Sequence, residues 1–314
     1  MKKIAITTGD PNGIGAEITI KALNKMNLDE NKIVLISNKK VLNFYGKLNK
    51  NYEIIKIPYE EENIKVGKIT KEAGEFSFQS LKKVCEIKPL AIVTAPVAKE
   101  AMHLAGHLFN GQTEVLQHYL AKENQLAEML FIANDFRVLL LTRHCALKDI
   151  SITKDLVVTK IQNLAQTFKT KFGIEHPKFA LCGFNPHAGE HGIIGTEEID
   201  ILLPAVEELR KSGINITAPL PADTLFVDAA SHYFKGEKDE FDCYIANFHD
   251  QGLIPIKTIA GMGTVNTTIG LEIIRTSPGH GTAFDIAGKG IADEKGMIAA
   301  IQTALKFSEK KLTK

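Results

Sequence analysis

Short runs of β-branched and aliphatic residues alternate with amphipathic stretches along nearly the whole chain, a pattern that dictates an α/β protein. Strands are expected at 3–7, 32–36, 90–94, 138–142, 179–182 and 243–246. Residues 129–133, a turn at Asn134 and Asp135, and 136–138 predict a hairpin, so the strand order is not purely parallel. Beyond Ser151, the apolar residues Val157, Ile161, Leu164 and Phe168 recur at intervals of 4, 3 and 4, one face of a helix. Thr196, Glu197 and Glu198 open a second helical stretch, with Ile199, Leu202, Val206 and Leu209 inward and Gly213 as its stop. Pro204 falls inside that stretch and predicts a kink or two abutting helices. Residues 17–23 and 297–307 are helical near the two ends.

Length and charge narrow the class. A chain of 314 residues prefers two compact units to one. Lys and Arg number 38 against 37 Asp and Glu, so no net charge draws the protein to nucleic acid or an anionic membrane. No apolar run is long enough to span a bilayer, and the block after Lys3 is too short for a secretory leader. The four cysteines (Cys85, Cys145, Cys182, Cys243) form no CxxC pair and are expected to be buried free thiols in the cytoplasm.

Three of the ten histidines closely follow an apolar strand in a polar or glycine-containing loop: His144, His187 and His249. Ligands of open α/β sheets bind beyond the carboxyl ends of strands. Three imidazoles there can hold one divalent ion and leave positions for a substrate, and neutral nitrogen ligands favour Zn, Co or Ni over Mg. A single strand-end histidine is commonly no more than a hydrogen-bonded residue; the shared setting of three points to a metal. His191 is set aside because Gly189 and Gly192 argue against the helix that a pairing with His187 needs. His103, His107, His118, His176 and His232 are expected to be solvated.

Lys257 lies eight positions after His249, Asn266 nine after that and Arg275 nine further on. A Lys and an Arg bracketing an Asn suit a carboxylate or phosphate, with Asn266 in a loop by virtue of Gly261 and Gly263. Upstream, Gly111, Gln112, Thr113 and Glu114 open a helix whose free N–H groups can seat a phosphate. The run Gly9, Asp10, Pro11, Asn12, Gly13, Ile14, Gly15 has the position of a nucleotide loop but meets neither GxGxxG nor the P-loop pattern, and is expected to be a tight turn.

The stretch His280, Gly281, Thr282, Ala283, Phe284, Asp285, Ile286, Ala287, Gly288 resembles the adenine-binding loop of isocitrate and isopropylmalate dehydrogenases, which bind NAD or NADP without a Rossmann fingerprint. The segments 185–190, 195–198, 219–226, 249–252 and 274–277 narrow the resemblance to the PdxA family of 4-hydroxythreonine-4-phosphate dehydrogenases, over nearly the whole chain. The resemblance implies a two-lobed isopropylmalate dehydrogenase-like α/β fold with mixed sheets and a cleft, with 1–105 plus 255–314 as the terminal lobe and 106–254 as the central one. It implies a homodimer with a shared active site, metal ligands at His144, His187 and His249, and substrate contacts at Gln112, Thr113, Lys257, Asn266 and Arg275. His280, Gly281, Thr282, Ala283 and Asp285 are implied to touch NAD or NADP, and one divalent metal (Zn, Co or Mg) to serve each site. The implied reaction is oxidation of 4-phosphooxy-L-threonine to 2-amino-3-oxo-4-phosphooxybutanoate, which loses CO₂ to give 3-amino-2-oxopropyl phosphate for pyridoxal phosphate synthesis. Asp250 or Lys257 would move protons. Gln112 departs from the histidine usual at its position, which keeps threonate or erythronate 4-phosphate open as the substrate. Arg143, where the motif commonly has Thr, could supply the missing cation.

Overall fold

Both ends of the chain contribute to one unit. The computed structural model describes residues 3–123 and 125–312, and its first unit comprises the chain up to Ala127 together with Val265 onward. Its strands are β1 (Ile4–Thr7), β2 (Ile33–Ser37), β3 (Glu53–Lys56) and β4 (Ala91–Thr94), joined by β10 (Val265–Ile269) and β11 (Arg275–Pro278). They lie in the order β3-β2-β1-β4-β11-β10, parallel except for β10 against β11. Parallel strands are buried on both faces and so read as unbroken apolar runs, which is how β1, β2 and β4 look. Alternate side chains feed opposite faces. Ile4, Ile6, Leu35 and Val93 pack with Leu23 of α1 (Gly15–Met26) and with Met297 and Ile301 of α10 (Lys295–Leu312). Ala5, Val34, Ile36 and Ile92 pack with Phe76 and Val84 of α3 (Lys71–Ile87). The helices α2 (Lys39–Tyr45), α4 (Lys99–Leu104) and α5 (Gln112–Leu120) complete this unit.

The second unit, Glu128–Thr264, carries β5 (Glu128–Ala133), β6 (Phe136–Leu140), β7 (Lys178–Leu181), β8 (Asn215–Ile216) and β9 (Cys243–Ala246). Their order is β5-β6-β9-β7-β8. The expected hairpin is β5–β6, antiparallel, turning through Asn134 at φ 55°, and the other pairs are parallel. Helix α6 (Lys154–Thr167) buries Val157, Ile161 and Leu164, as their spacing requires, and continues through a wider turn at Phe168–Phe172. Pro204 sits in the first turn of α7 (Leu203–Lys211), which follows without a break from a wide turn at Glu198–Leu202; Leu202 and Leu203 both keep right-handed helical dihedrals, so the proline falls where the helix widens. The wide turn changes the phase, and Ile199, expected inward, is 45% exposed. Helices α8 (Ala222–Lys235) and α9 (His249–Ala260) follow. No helix among the described residues is long and apolar enough to cross a membrane.

Candidate active site

Strands β6, β9 and β7 are adjacent and parallel, and their carboxyl ends lead to His144, His249 and His187 respectively. Fully buried Asn247 straps these ends together. Its carbonyl accepts from the Thr142 N–H at 3.1 Å and the Thr142 hydroxyl at 2.7 Å, and its Nδ2 donates to the Cys182 carbonyl at 2.9 Å. Gln251 accepts from the Asn247 N–H at 2.7 Å and donates to the Gly183 carbonyl at 2.7 Å. The bonds from Asn247 to Thr142 and Cys182, and from Gln251 to Gly183, tie the β9 end to those of β6 and β7, so the three loops start from one ledge.

On that ledge the rings of His144 and His249 approach to 5.4 Å between centroids, with 50° between planes. They line a cavity of about 290 Å³ with Cys145, Leu147, Phe248 and Asp250. His249 is the first residue of α9, and its Nδ1–H donates to Asp250 Oδ1 at 2.7 Å. The His187 Nδ1–H donates to Glu190 Oε1 at 2.7 Å. In both cases the carboxylate leaves Nε2 as the free lone pair, the arrangement that suits a metal-ligating imidazole. The donor chemistry therefore fits a divalent metal. Among the described residues, however, no three His, Cys, Asp or Glu side chains gather as a metal group, and His187 does not join the His144–His249 pair.

His187 stands in an unusual turn. Residues His187, Ala188, Gly189, Glu190 and His191 all have φ between 43° and 81°, a left-handed run with four side chains in it. Each such residue other than glycine costs roughly 1–2 kcal/mol. The run is held from outside: the Asn185 N–H donates to Glu198 Oε1 at 2.8 Å, and Asn185 Nδ2 donates to Glu198 Oε2 at 2.9 Å and Glu197 Oε2 at 2.6 Å. Glu198 is buried.

In the first unit, the guanidinium of Arg275 is buried at 3% exposure and donates from Nε to Thr94 Oγ1 at 2.8 Å and from Nη1 to Thr268 Oγ1 at 3.5 Å. Burial pulls it down to about 10, opposed by Glu114, and it stays cationic at neutral pH. Gln112 opens α5 and donates from Nε2 to the Ala95 carbonyl at 3.3 Å, one residue on from Thr94; its buried Oε1 has no partner. Thr113, beside it, is buried. Asn266 lies on β10, not in a loop, two residues before Thr268 and therefore on the same face. Gln112, Asn266 and Arg275 thus belong to one strand-end region. Lys257 is in the second unit, exposed on α9 two turns beyond His249.

The two glycine-containing segments of the first unit meet. The Ile14 N–H donates to the Thr282 carbonyl at 3.0 Å, and a Cβ on Gly13 would lie 2.9 Å from that same oxygen. His280 donates from Nδ1 to the Gly281 carbonyl at 3.0 Å, leaving a buried Nε2 acceptor without a partner, and Ala283 sits at φ 43°. Gly281 and Asp285 are exposed and Thr282 half-buried. A preformed loop with an unsatisfied ring nitrogen fits a ligand such as a dinucleotide. The 9–15 run is more than a turn. Asp10 is fully buried, accepts the Asn12 N–H at 2.8 Å on Oδ1, has no partner for Oδ2, and is pushed up to about 6 by burial. Nothing in the local sequence distinguishes it from a turn aspartate.

Other expectations need correction. His103 donates to the Phe109 carbonyl at 2.8 Å, and His107 stacks on Phe78 at 3.6 Å and pairs with Glu75, so both are half-buried structural groups. His232 is also half-buried. Cys145 is exposed, while burial pushes the Cys85 and Cys182 thiols up to about 12. Arg143 lines the cavity beside His144, yet its charge also acts on the buried Glu128–Lys160 pair (2.5 Å).

The family profile described as pyridoxal phosphate biosynthetic protein PdxA matches residues 3–304. The chain is 40% identical to the 4-hydroxythreonine-4-phosphate dehydrogenase of Sulfurihydrogenibium sp., over 97% of this chain and 98% of that one. It is 36% identical to the D-threonate 4-phosphate dehydrogenase of Pectobacterium atrosepticum, over 98% and 99%. The crystal structure of 4-hydroxythreonine-4-phosphate dehydrogenase from Klebsiella pneumoniae superposes with a TM-score of 0.85 at 33% identity, over 98% of both chains. A β-decarboxylating dehydrogenase from Thermococcus kodakarensis shares the fold at a TM-score of 0.52 and 14% identity, over 98% of this chain and 83% of that one, in line with the expected fold class.

Proposed function

The chain belongs to the PdxA family, dehydrogenases of phosphorylated hydroxy acids, and from this we propose that it oxidises 4-phosphooxy-L-threonine with NAD or NADP in pyridoxal phosphate synthesis, as a cytoplasmic homodimer. The observation that carries the substrate class is Arg275, a buried guanidinium that meets only hydroxyls. A buried cation offset only in part by the charge of Glu114 is costly until an anion arrives, and its planar fork matches a carboxylate or phosphate. Asn266 lies two positions along β10 from Thr268, Gln112 bonds Ala95 next to Thr94, and Thr113 offers a hydroxyl at the start of α5, where N–H groups favour negative charge.

His144, His187 and His249 would hold a divalent metal, which when bound lowers the pKa of the substrate hydroxyl and stabilises charge as CO₂ leaves. Within one chain two of these histidines come together, which is compatible with a site completed between subunits. Asp250 is engaged by His249 Nδ1 and orients that ring; Lys257, further along the same helix, is the residue we assign to proton transfer. His280 to Ala283 and Asp285 would seat the dinucleotide, with Gly13 kept bare for the Thr282 carbonyl.

D-threonate 4-phosphate is the second reading, and Gln112 favours it. Its Nε2 is committed to Ala95, so the side chain presents an uncharged acceptor where the family usually has His. A steady-state panel of 4-phosphooxy-L-threonine, D-threonate 4-phosphate and D-erythronate 4-phosphate, followed by NADH absorbance with and without divalent metal, tests both. Turnover of the first at the highest kcat/KM is expected. Preference for the second would reassign the substrate, and no metal-dependent turnover of any would end the dehydrogenase proposal.

A further inference from the structure

We infer that Glu190 is a positioning residue for His187, and that the left-handed turn exists to bring the two side chains together. The inference rests on the proposal that His187 ligates a divalent metal. Three residues apart on an ordinary loop, a His and a Glu have no fixed relationship. Here five consecutive residues with positive φ wind the backbone so that the carboxylate of Glu190 reaches back to His187 Nδ1 at 2.7 Å. Both side chains are largely exposed, so the pair adds little to stability and does not explain why the strained turn persists. The turn is secured by Asn185 on buried Glu198, and Gly189 is bare because a Cβ there would lie 2.7 Å from Glu198 Oε2. A buried carboxylate therefore holds a strained loop whose product is one imidazole with its Nδ1 proton engaged and its lone pair left on Nε2.

The test reads tautomer and metal affinity, not turnover. In metal-free protein labelled with ¹⁵N-histidine, above the pH range of imidazole protonation, His187 is expected in the Nδ1–H form. Glu190→Ala should shift it towards Nε2–H, whereas Glu190→Gln, whose amide oxygen still accepts, should keep most of the Nδ1–H form. Co²⁺ affinity by chelator competition should fall roughly 10–100-fold in Glu190→Ala and recover substantially in Glu190→Gln, with the thermal midpoint unchanged. Should His187→Ala bind Co²⁺ as the wild type does, the metal proposal fails and takes this inference with it. Should His187→Ala lose Co²⁺ while Glu190→Ala retains both affinity and tautomer, the inference alone is overturned.

Discussion

The Thr142 hydroxyl donates to the Asn247 carbonyl at 2.7 Å, beside the Thr142 N–H bond to the same oxygen. One carbonyl thereby fixes the departure points of the His144 and His249 loops. Thr142→Val keeps the shape and removes the hydroxyl bond. Urea unfolding should show a loss of about 1 kcal/mol, and Co²⁺ affinity should drop severalfold because the common anchor of the two imidazoles keeps only its N–H bond. Unchanged metal affinity would mean that the strap is structural only.

Arg275 carries opposite signs for stability and for binding. Arg275→Met removes a buried charge whose hydrogen bonds go to two hydroxyls, so the free protein should gain on the order of 1 kcal/mol in unfolding free energy. The same change should raise the substrate KM at least about a hundredfold, the loss of charge-assisted bonds worth roughly 3 kcal/mol. Arg275→Lys retains charge but not the fork, and should fall between. A destabilised Arg275→Met protein with normal KM would contradict both halves.

Gly13 is the hinge of another prediction. In Gly13→Ala the new methyl meets the backbone carbonyl of Thr282, which cannot move without displacing the 280–285 loop. The KM for NAD or NADP should rise about tenfold, a cost of about 1.4 kcal/mol, with the phosphorylated substrate's KM little altered. Equal effects on both ligands would show a general disruption of the unit.

Asp10 sets a pH dependence. Its carboxyl is raised from 3.8 to about 6 by burial, so the folded state holds this proton more tightly than the unfolded chain. The resulting contribution is complete below pH 4 and disappears as pH rises to about 6, an order-of-magnitude loss of about 3 kcal/mol. Asp10→Asn cannot ionise. Subtracting its stability curve from that of the wild type should leave a step between pH 4 and 6, with the variant more stable at neutral pH; a flat difference would show that Asp10 ionises freely in the folded state.

What the sequence reveals follows from where the partners of each residue lie. Strands β1, β2, β4 and β9 are legible because both faces are buried and every residue is apolar or nearly so. Strands β10 and β11 read Val-Asn-Thr-Thr-Ile and Arg-Thr-Ser-Pro, and their buried Thr267, Thr268, Thr276 and Ser277 hide them from any hydrophobic pattern. The three histidines stand out because apolar strands end abruptly before them. Asn247 and Glu198 do not, since their function depends on Cys182, 65 positions away, and on Asn185, 13 positions away. Arg275 and Asn266 are visible as residue types, but the hydroxyl cage around the guanidinium is not. The crossings between units fall just before β5 and β10, and nothing in the local sequence of either strand marks a passage from one unit to the other.

The first unit cannot close until the segment from Val265 onward exists. Its core joins Ile4 and Ile6 to Val265, Met297 and Ile301, whereas Glu128–Thr264 is continuous. On a translating ribosome the inserted unit can therefore mature first, while β1 to β4 wait with an unfinished sheet edge for β11 to arrive. Synthesis rate between β4 and β11 thus governs how long that edge is open to self-association.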